Sequence, residues 1–236
     1  MAYHSNPDIS ESDFCIISGA ADKSMKLWTM SFKGEKVHLI LIKKLETTDD
    51  VLCSMFSPNG KLIVFSLLDS TIKILFANSL KFYLSLYGHK LPVLSFDIST
   101  DNSLIVSGSS DKNIKIWGLD FGDCHKSLLL HKDAVTGIKF VKDTHYFFSC
   151  SKDHSIKYVN ADTYEQIMSF ADHHGEVWAI GLSSIGDQMF SVSSDKSIRV
   201  WKQTNQQLFL EDEKEKEAEN MILEELDTQN IAVVLL

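Results

Sequence analysis

Apolar and polar positions alternate with a period of two over most of this chain, in short runs separated by polar turns. The stretch from Leu104 to Trp117, LIVSGSSDKNIKIW, shows the unit most clearly. An apolar run ends in Ser107-Gly108-Ser109-Ser110, a turn follows at Asp111-Lys112-Asn113, and the chain then alternates through Ile114-Lys115-Ile116-Trp117. Successive side chains of a strand point to opposite faces, so a period of 2 rather than 3.6 predicts two strands joined by a tight turn. The phrase recurs as SGAADKSMKLW ending at Trp28, FSLLDSTIKIL ending at Leu75, SCSKDHSIKYV ending at Val159 and SVSSDKSIRVW ending at Trp201. The turn aspartates Asp22, Asp69, Asp111, Asp153 and Asp195 are spaced by 47, 42, 42 and 42 residues. A fixed period near 42 predicts a repeat architecture in which each repeat is one supersecondary unit.

Read in order, the chain opens with a polar segment, residues 1–13, expected to be disordered. Phe14 to Ser18 begins the first repeat. Its first strand and a His 22 residues before Asp22 would fall before the chain starts. Residues 29–50 supply an outer strand, Lys36 to Lys43, and a polar connection. The second repeat opens with Val51-Leu52-Cys53-Ser54-Met55-Phe56. The turn Ser57-Pro58-Asn59-Gly60 follows, where Pro presets φ and Asn-Gly tolerates positive φ. Third, fourth and fifth repeats run from about Gly88, Leu130 and Asp172, each with four strand candidates. Gln207 to Leu210 is a candidate last outer strand. From Glu211 to Leu226 strong helix formers take over, with Ala218, Ile222 and Leu226 on one face, which predicts a short acidic helix. A disordered acidic tail is the competing reading, because like charges repel.

Composition narrows the class. No apolar run approaches the roughly 18–20 residues of a membrane helix, and MAYHSNPDISESD lacks the parts of a secretory signal. Four scattered cysteines, Cys15, Cys53, Cys124 and Cys150, form no C-x-x-C pair and read as reduced thiols. The net charge of −9 is uneven. Residues 211–227 carry nine acids and two lysines, whereas 1–210 carries 21 basic and 23 acidic side chains. The body is therefore nearly neutral and does not read as a strong electrostatic binder of nucleic acid.

Aligning the repeats on the turn Asp brings out a second register. His89, His131 and His173 each lie 22 residues before Asp111, Asp153 and Asp195. Ser107, Ser149 and Ser191 lie four before it, and Trp117 and Trp201 six after. The set resembles the structural tetrad of WD40 blades, and the resemblance implies a chain of His–Asp, His–Ser and Ser–Trp hydrogen bonds. The same three residue types make a hydrolase triad. Here the set is copied per repeat, its Ser sits mid-strand and no nucleophile elbow accompanies it, so no catalytic residue is assigned. His173-His174 beside Asp172 lacks a third ligand at a metal-site spacing, so no metal and no cofactor is assigned. The first repeat keeps Ser18, Asp22 and Trp28. The second keeps Asp69 alone, with Thr47, Phe65 and Leu75 at the other positions, and the fourth has Val159 for Trp. The residue four after each Asp is basic: Lys26, Lys73, Lys115, Lys157 and Arg199. Snorkelling stems and a ring facing an acidic partner or RNA are the two readings.

The fold expected is therefore an all-β WD40 β-propeller. It is incomplete, with about four and a half to five blades of four-stranded antiparallel sheet over residues 14–210, and an acidic tail over 211–236. A common ring of seven blades would need about 290 residues at this period. A truncated product, a fragment, or a ring completed by another segment or chain is expected, and the isolated chain should be marginal in stability.

After Trp117 comes Gly118-Leu119-Asp120-Phe121-Gly122-Asp123-Cys124-His125-Lys126-Ser127. That run, the Lys152-Asp153-His154 turn, the Asp172-His173-His174 loop and the acidic exit after Leu210 resemble the second propeller of the Dip2/Utp12 (WD repeat protein 3-like) family. The resemblance covers roughly residues 14–226. It implies a non-catalytic scaffold of the UTP-B subcomplex of the small-subunit processome, acting in 18S ribosomal RNA maturation in the nucleolus of the nucleus. The partners it implies are other WD40 subunits of UTP-B, with pre-ribosomal RNA and small nucleolar RNA reached directly or through the complex. No membrane and no small-molecule substrate enters this reading. A generic WD40 adaptor presenting peptide partners is the alternative, as a ubiquitin-ligase receptor or signalling scaffold.

Overall fold

The computed structural model describes residues 2–5, 14–33 and 36–203. The chain divides into two units, residues 1–202 and 203–236, and all described strands belong to the first. Both readings of the tail, and the candidate strand at 207–210, lie outside the described residues.

Five antiparallel sheets follow one another along the chain. The first holds β1 (Ala2–Ser5), β2 (Phe14–Ala20), β3 (Ser24–Lys33) and β4 (Lys36–Glu46). The second holds β5 (Val51–Phe56), β6 (Leu62–Leu67), β7 (Ile72–Phe76) and β8 (Phe82–Leu86). The third holds β9 (Val93–Ile98), β10 (Leu104–Ser109), β11 (Ile114–Gly118) and β12 (Cys124–Leu128). The fourth holds β13 (Val135–Phe140), β14 (Tyr146–Ser151), β15 (Ile156–Asn160) and β16 (Gln166–Phe170). The fifth holds β17 (Val177–Leu182), β18 (Gln188–Ser193) and β19 (Ile198–Lys202). Within each sheet the strands run in sequence order, and the first strands of successive sheets touch: β1 with β5, β5 with β9, β9 with β13, β13 with β17. This is the blade arrangement of a WD40 β-propeller.

Two elements differ from the sequence reading. Residues 2–5, expected to be disordered, form β1 and pair with Phe14 to Ile17, so the first sheet has an inner strand. A strand edge left without a partner exposes unpaired N–H and C=O groups, and a short alternating segment is enough to cover it. The outer strand expected at Lys36 to Lys43 extends to Glu46, and β3 lengthens with it into a long hairpin.

The core lies in layers between blades. Cys15, Ile17 and Met25 pack against Val51, Ile63, Phe65 and Leu67 between the first and second sheets. Val64, Ile72 and Ile74 meet Phe96, Ile105 and Trp117 between the second and third. Val106, Ile114 and Ile116 meet Val135, Ile138 and Phe147 between the third and fourth. Cys150 and Ile156 meet Val177 and Ile180 between the fourth and fifth. A strand such as β6 is buried on both faces, which is why LIVFSL reads as a continuous apolar run. On the far side of the fifth sheet Ile198 is 70% exposed and Val200 54%, whereas their counterparts Ile114 and Ile116 are fully buried.

Close approach of blades demands a glycine at one point. A Cβ on Gly108 would lie 2.5 Å from Val135 Cγ1 and 2.9 Å from Ile138 Cδ1. Val135 is fully buried and β-branched, so it cannot swing aside. Gly108→Ala is expected to cost about 2 kcal/mol through overpacking. Urea unfolding of the variant checks this, and an unchanged midpoint would show that the third and fourth sheets can separate freely.

Candidate functional site

Three blades carry a continuous chain of polar side chains from loop to strand. In the third, the loop before β9 places His89 over the turn between β10 and β11. His89 donates from Nδ1 to Asp111 Oδ2 at 3.0 Å, because a carboxylate can only accept. That fixes Nε2 as the acceptor, and Ser107 Oγ donates to it at 2.8 Å. Trp117 Nε1 donates to the same Ser107 Oγ at 2.8 Å. Every donor is matched in one direction around a neutral imidazole. Burial pushes the His89 pKa down, against the pull of Asp111 upward.

The other two blades repeat the geometry. His131 Nδ1 lies 2.9 Å from Asp153 Oδ2, and its Nε2 lies 2.9 Å from Ser149 Oγ. Val159 is buried where the indole would stand and gives no donor. His173 reaches Asp195 at 3.0 Å and Ser191 at 2.7 Å, and Trp201 donates to Ser191 at 2.9 Å. His173 thus spends both ring nitrogens inside its own blade. In the first blade Trp28 donates to Ser18 at 2.9 Å, and among the described residues Asp22 meets Ser24 and Lys26. In the second, Asp69 holds only the N–H and hydroxyl of Thr71, while Thr47 turns to the Asp49 carbonyl.

Each turn Asp is further tied to the residue two positions on. Ser24, Thr71, Asn113, Ser155 and Ser197 all donate a backbone N–H to the Oδ1 of Asp22, Asp69, Asp111, Asp153 and Asp195. This Asx-turn donor also recurs in the sequence, as a polar residue two after every Asp, and the alignment on His, Ser and Trp passed over it. The tetrad carboxylates also accept from the backbone N–H after each His: Lys90, Lys132 and His174. In Asp153 burial raises the pKa, but His131, Ser155 and Lys132 more than offset it and hold the carboxyl well below its usual range. Asp195 is held low by Ser197 and His173.

The basic residue four after each Asp finds a different partner from blade to blade. In the first blade Lys26 reaches Asp22 Oδ2 at 3.5 Å. In the third Lys115 lies over the Trp117 ring, 5.8 Å from its centroid, and in the fourth Lys157 donates to Gln166 Oε1 at 2.8 Å. Lys73 donates to Thr48 Oγ1 at 3.0 Å. These cations belong to local networks of each blade.

The serines of the three sets have no access to a substrate: Ser107, Ser149 and Ser191 are fully buried. Among the described residues the cysteines are free thiols, and burial pushes the Cys150 thiol up to about 12. Such a thiol is a packing group, not a nucleophile.

On the side of the blades away from the tetrads, one polar link was not legible in the repeat pattern. His145, before β14, lies 3.1 Å from Asp101 of the third blade and 2.7 Å from Asp162 of its own. Only protonated imidazole donates to both. Its pKa is raised, first by the hydrogen bond to Asp162 and then by Asp101. A raised folded-state pKa means that the stabilisation is present below the unfolded value of about 6.5 and lost as pH rises through the folded value. His145→Gln should therefore lower the melting temperature at pH 6 and have a shrinking effect toward pH 9. A gap between wild type and variant that is constant with pH would rule out this link.

Comparisons with known proteins agree with the architecture. The family model of the WDR3 second β-propeller domain matches residues 7–208. U3 small nucleolar RNA-associated protein 12 of Saccharomyces cerevisiae is 47% identical over 101 residues, 38% of this chain and 11% of that protein. WD repeat-containing protein 3 of Homo sapiens is 49% identical over 83 residues, 33% of this chain and 9% of that protein. A WD repeat-containing protein 3 homolog of Dictyostelium discoideum is 46% identical over 86 residues, 34% of this chain and 9% of that protein. The matched segments thus span about a tenth of the length of these relatives.

Proposed function

The chain belongs to the WDR3 second β-propeller domain family, and from that premise we propose that it is a non-catalytic scaffold in small ribosomal subunit biogenesis. The observation that carries this reading is the 47% identity to a protein named for its association with U3 small nucleolar RNA. The proposed setting is the UTP-B subcomplex of the small-subunit processome, in the nucleolus, during maturation of 18S ribosomal RNA. Its proposed partners are other WD40 subunits, with pre-ribosomal RNA and small nucleolar RNA reached directly or through them. The geometry supports a scaffold. The polar chains of the third, fourth and fifth blades act as braces: they fix each connecting loop to its own blade and leave the loop surfaces rigid for docking. The near-neutral body supports recruitment through specific protein contacts over bulk attraction to RNA phosphates.

Affinity purification of the tagged full chain from its own cells tests this. Co-isolation of U3 small nucleolar RNA, 18S precursors and other WD40 processome subunits is expected. Recovery of a ubiquitin ligase or signalling complex with no RNA would refute it.

A further inference from the structure

The turn between β11 and β12 carries the most exposed large apolar side chain among the described residues: Phe121 is 89% exposed. A single exposed apolar side chain is ordinary, but this turn is not free to fold it away. The Gly118 N–H donates to the Asp123 carbonyl at 3.0 Å, and the Gly122 N–H to the Gly118 carbonyl at 3.0 Å. Gly122 has a φ of 72°, and a Cβ there would lie 3.1 Å from both Leu84 Cδ1 and Leu86 Cδ2 of β8. The Tyr83 hydroxyl, also on β8, donates to the Asp120 carbonyl at 3.1 Å. The turn is thus fastened to two blades with its Phe held outward. At the same place, 42 residues to either side, the turns of the second and fourth blades have Ser79 and Thr163. Neither the turn nor the core therefore calls for a Phe here.

Two exposed carboxylates flank the ring, Asp120 and Asp123. Asp123 Oδ2 lies 3.2 Å from His125 Nε2. Asp120 is open. Its counterpart in the fourth blade, Asp162, holds His145 at 2.7 Å; in the third blade Ser103 stands where His145 would, and no side-chain donor meets the Asp120 carboxylate among the described residues. An open ring beside an open carboxylate suits a guanidinium, which stacks on the one and forms paired N–H···O bonds to the other. A lysine ammonium is compact and strongly hydrated, so it gains less from the ring. A nucleic-acid base can stack on a Phe, but carboxylates on both sides repel its phosphates. A second copy has nothing to offer: Arg199 is the only arginine in the chain, and its Nε is buried.

We propose that the turn from Asp120 to Asp123 is a docking site for an arginine-bearing segment of another protein. The guanidinium lies on the Phe121 ring and bonds to the Asp120 carboxylate, and the charge of Asp123 adds to the attraction. The turn is ordered before the partner arrives, so little conformational entropy is lost on this side of the contact. The proposal does not depend on which assembly the partner belongs to.

Three labelled peptides test the proposal with the full chain: four Arg-Gly-Gly repeats, four Lys-Gly-Gly repeats, and four repeats with citrulline, which keeps the shape of arginine without its charge. Salt at about 0.15 M limits bulk attraction to the acids of residues 211–227. Fluorescence anisotropy should show saturable binding of the arginine peptide, at least threefold weaker binding of the lysine peptide and none of the citrulline peptide. Phe121→Leu keeps an apolar side chain but no ring, and should weaken the arginine peptide at least fivefold. Phe121→Tyr should leave its affinity unchanged. Neither variant should lower the melting temperature, since the position is exposed. Should Phe121→Leu fail to fold, Asp120→Asn reads the same claim and should weaken the arginine peptide at least threefold. No binding of the arginine peptide, equal binding of the lysine peptide, or an affinity unchanged by Phe121→Leu, which would put the peptide on the acidic tail, would each overturn it.

Discussion

Trp117→Ala is expected to be the most damaging single change in the third blade, costing about 3–5 kcal/mol. At this chain length that corresponds to a fall in melting temperature of about 10 °C. The indole is 2% exposed and sits in the layer between the second and third sheets, among Val64, Ile72, Ile74 and Ile105. Ala leaves a cavity in a layer whose walls are strands held by two ladders each, so collapse around it is limited. The N–H contributes separately. Trp117→Phe keeps most of the ring but gives Ser107 no indole donor, while His89 still takes the Ser107 hydroxyl proton; about 1–2 kcal/mol is expected. Trp201 makes the same bond to Ser191 but is only half-buried, 4.9 Å from the Phe170 ring. Trp201→Ala should therefore cost clearly less. Urea unfolding of the three variants checks the ranking, and equal losses for Trp117→Ala and Trp201→Ala would show that depth of burial does not set the cost.

The contrast between those two tryptophans shows what can be read from the chain alone. Repeats locked to a period of 42 align residues that do the same job, so His89, Ser107, Asp111 and Trp117 could be paired by counting. Counting cannot tell that Trp117 is 2% exposed and Trp201 only half-buried, because burial depends on what packs around each blade. The same limit hides the exposure of β4, which was legible as a strand. Its apolar run resembles a buried strand, yet the structure exposes it. The link through His145 was illegible for another reason. It joins loops of two blades, and His145 itself does not recur: Lys61, Ser103 and Asp187 stand at its place relative to the turn Asp. β1 escaped because a strand of four residues has no neighbouring phrase to align with.

The turn aspartates offer the sharpest separation of a brace from a mere turn. Asp111→Ala is expected to cost about 3 kcal/mol, and Asp69→Ala no more than about 0.5. The two residues occupy the same place in the repeat and make the same turn, so local propensity is held constant. What differs is the company. The Asp111 side chain is 5% exposed and the His89 side chain 1%. Removing the carboxylate orphans three donors at once: the His89 Nδ1–H, the Lys90 N–H and the Asn113 N–H. The buried imidazole cannot recover a partner from solvent, and protonating it would place a charge where burial already disfavours one. Asp69 is exposed, and the N–H and hydroxyl of Thr71 that it holds can turn to water instead. The experiment is thermal and urea unfolding of both variants at pH 7.5, where His89 is neutral in the wild type. Asn at position 111 refines it, since the amide oxygen can still accept one bond and should restore part of the loss. Comparable losses at 69 and 111 would mean that the turn alone carries the energy and that the His–Asp link is incidental to it.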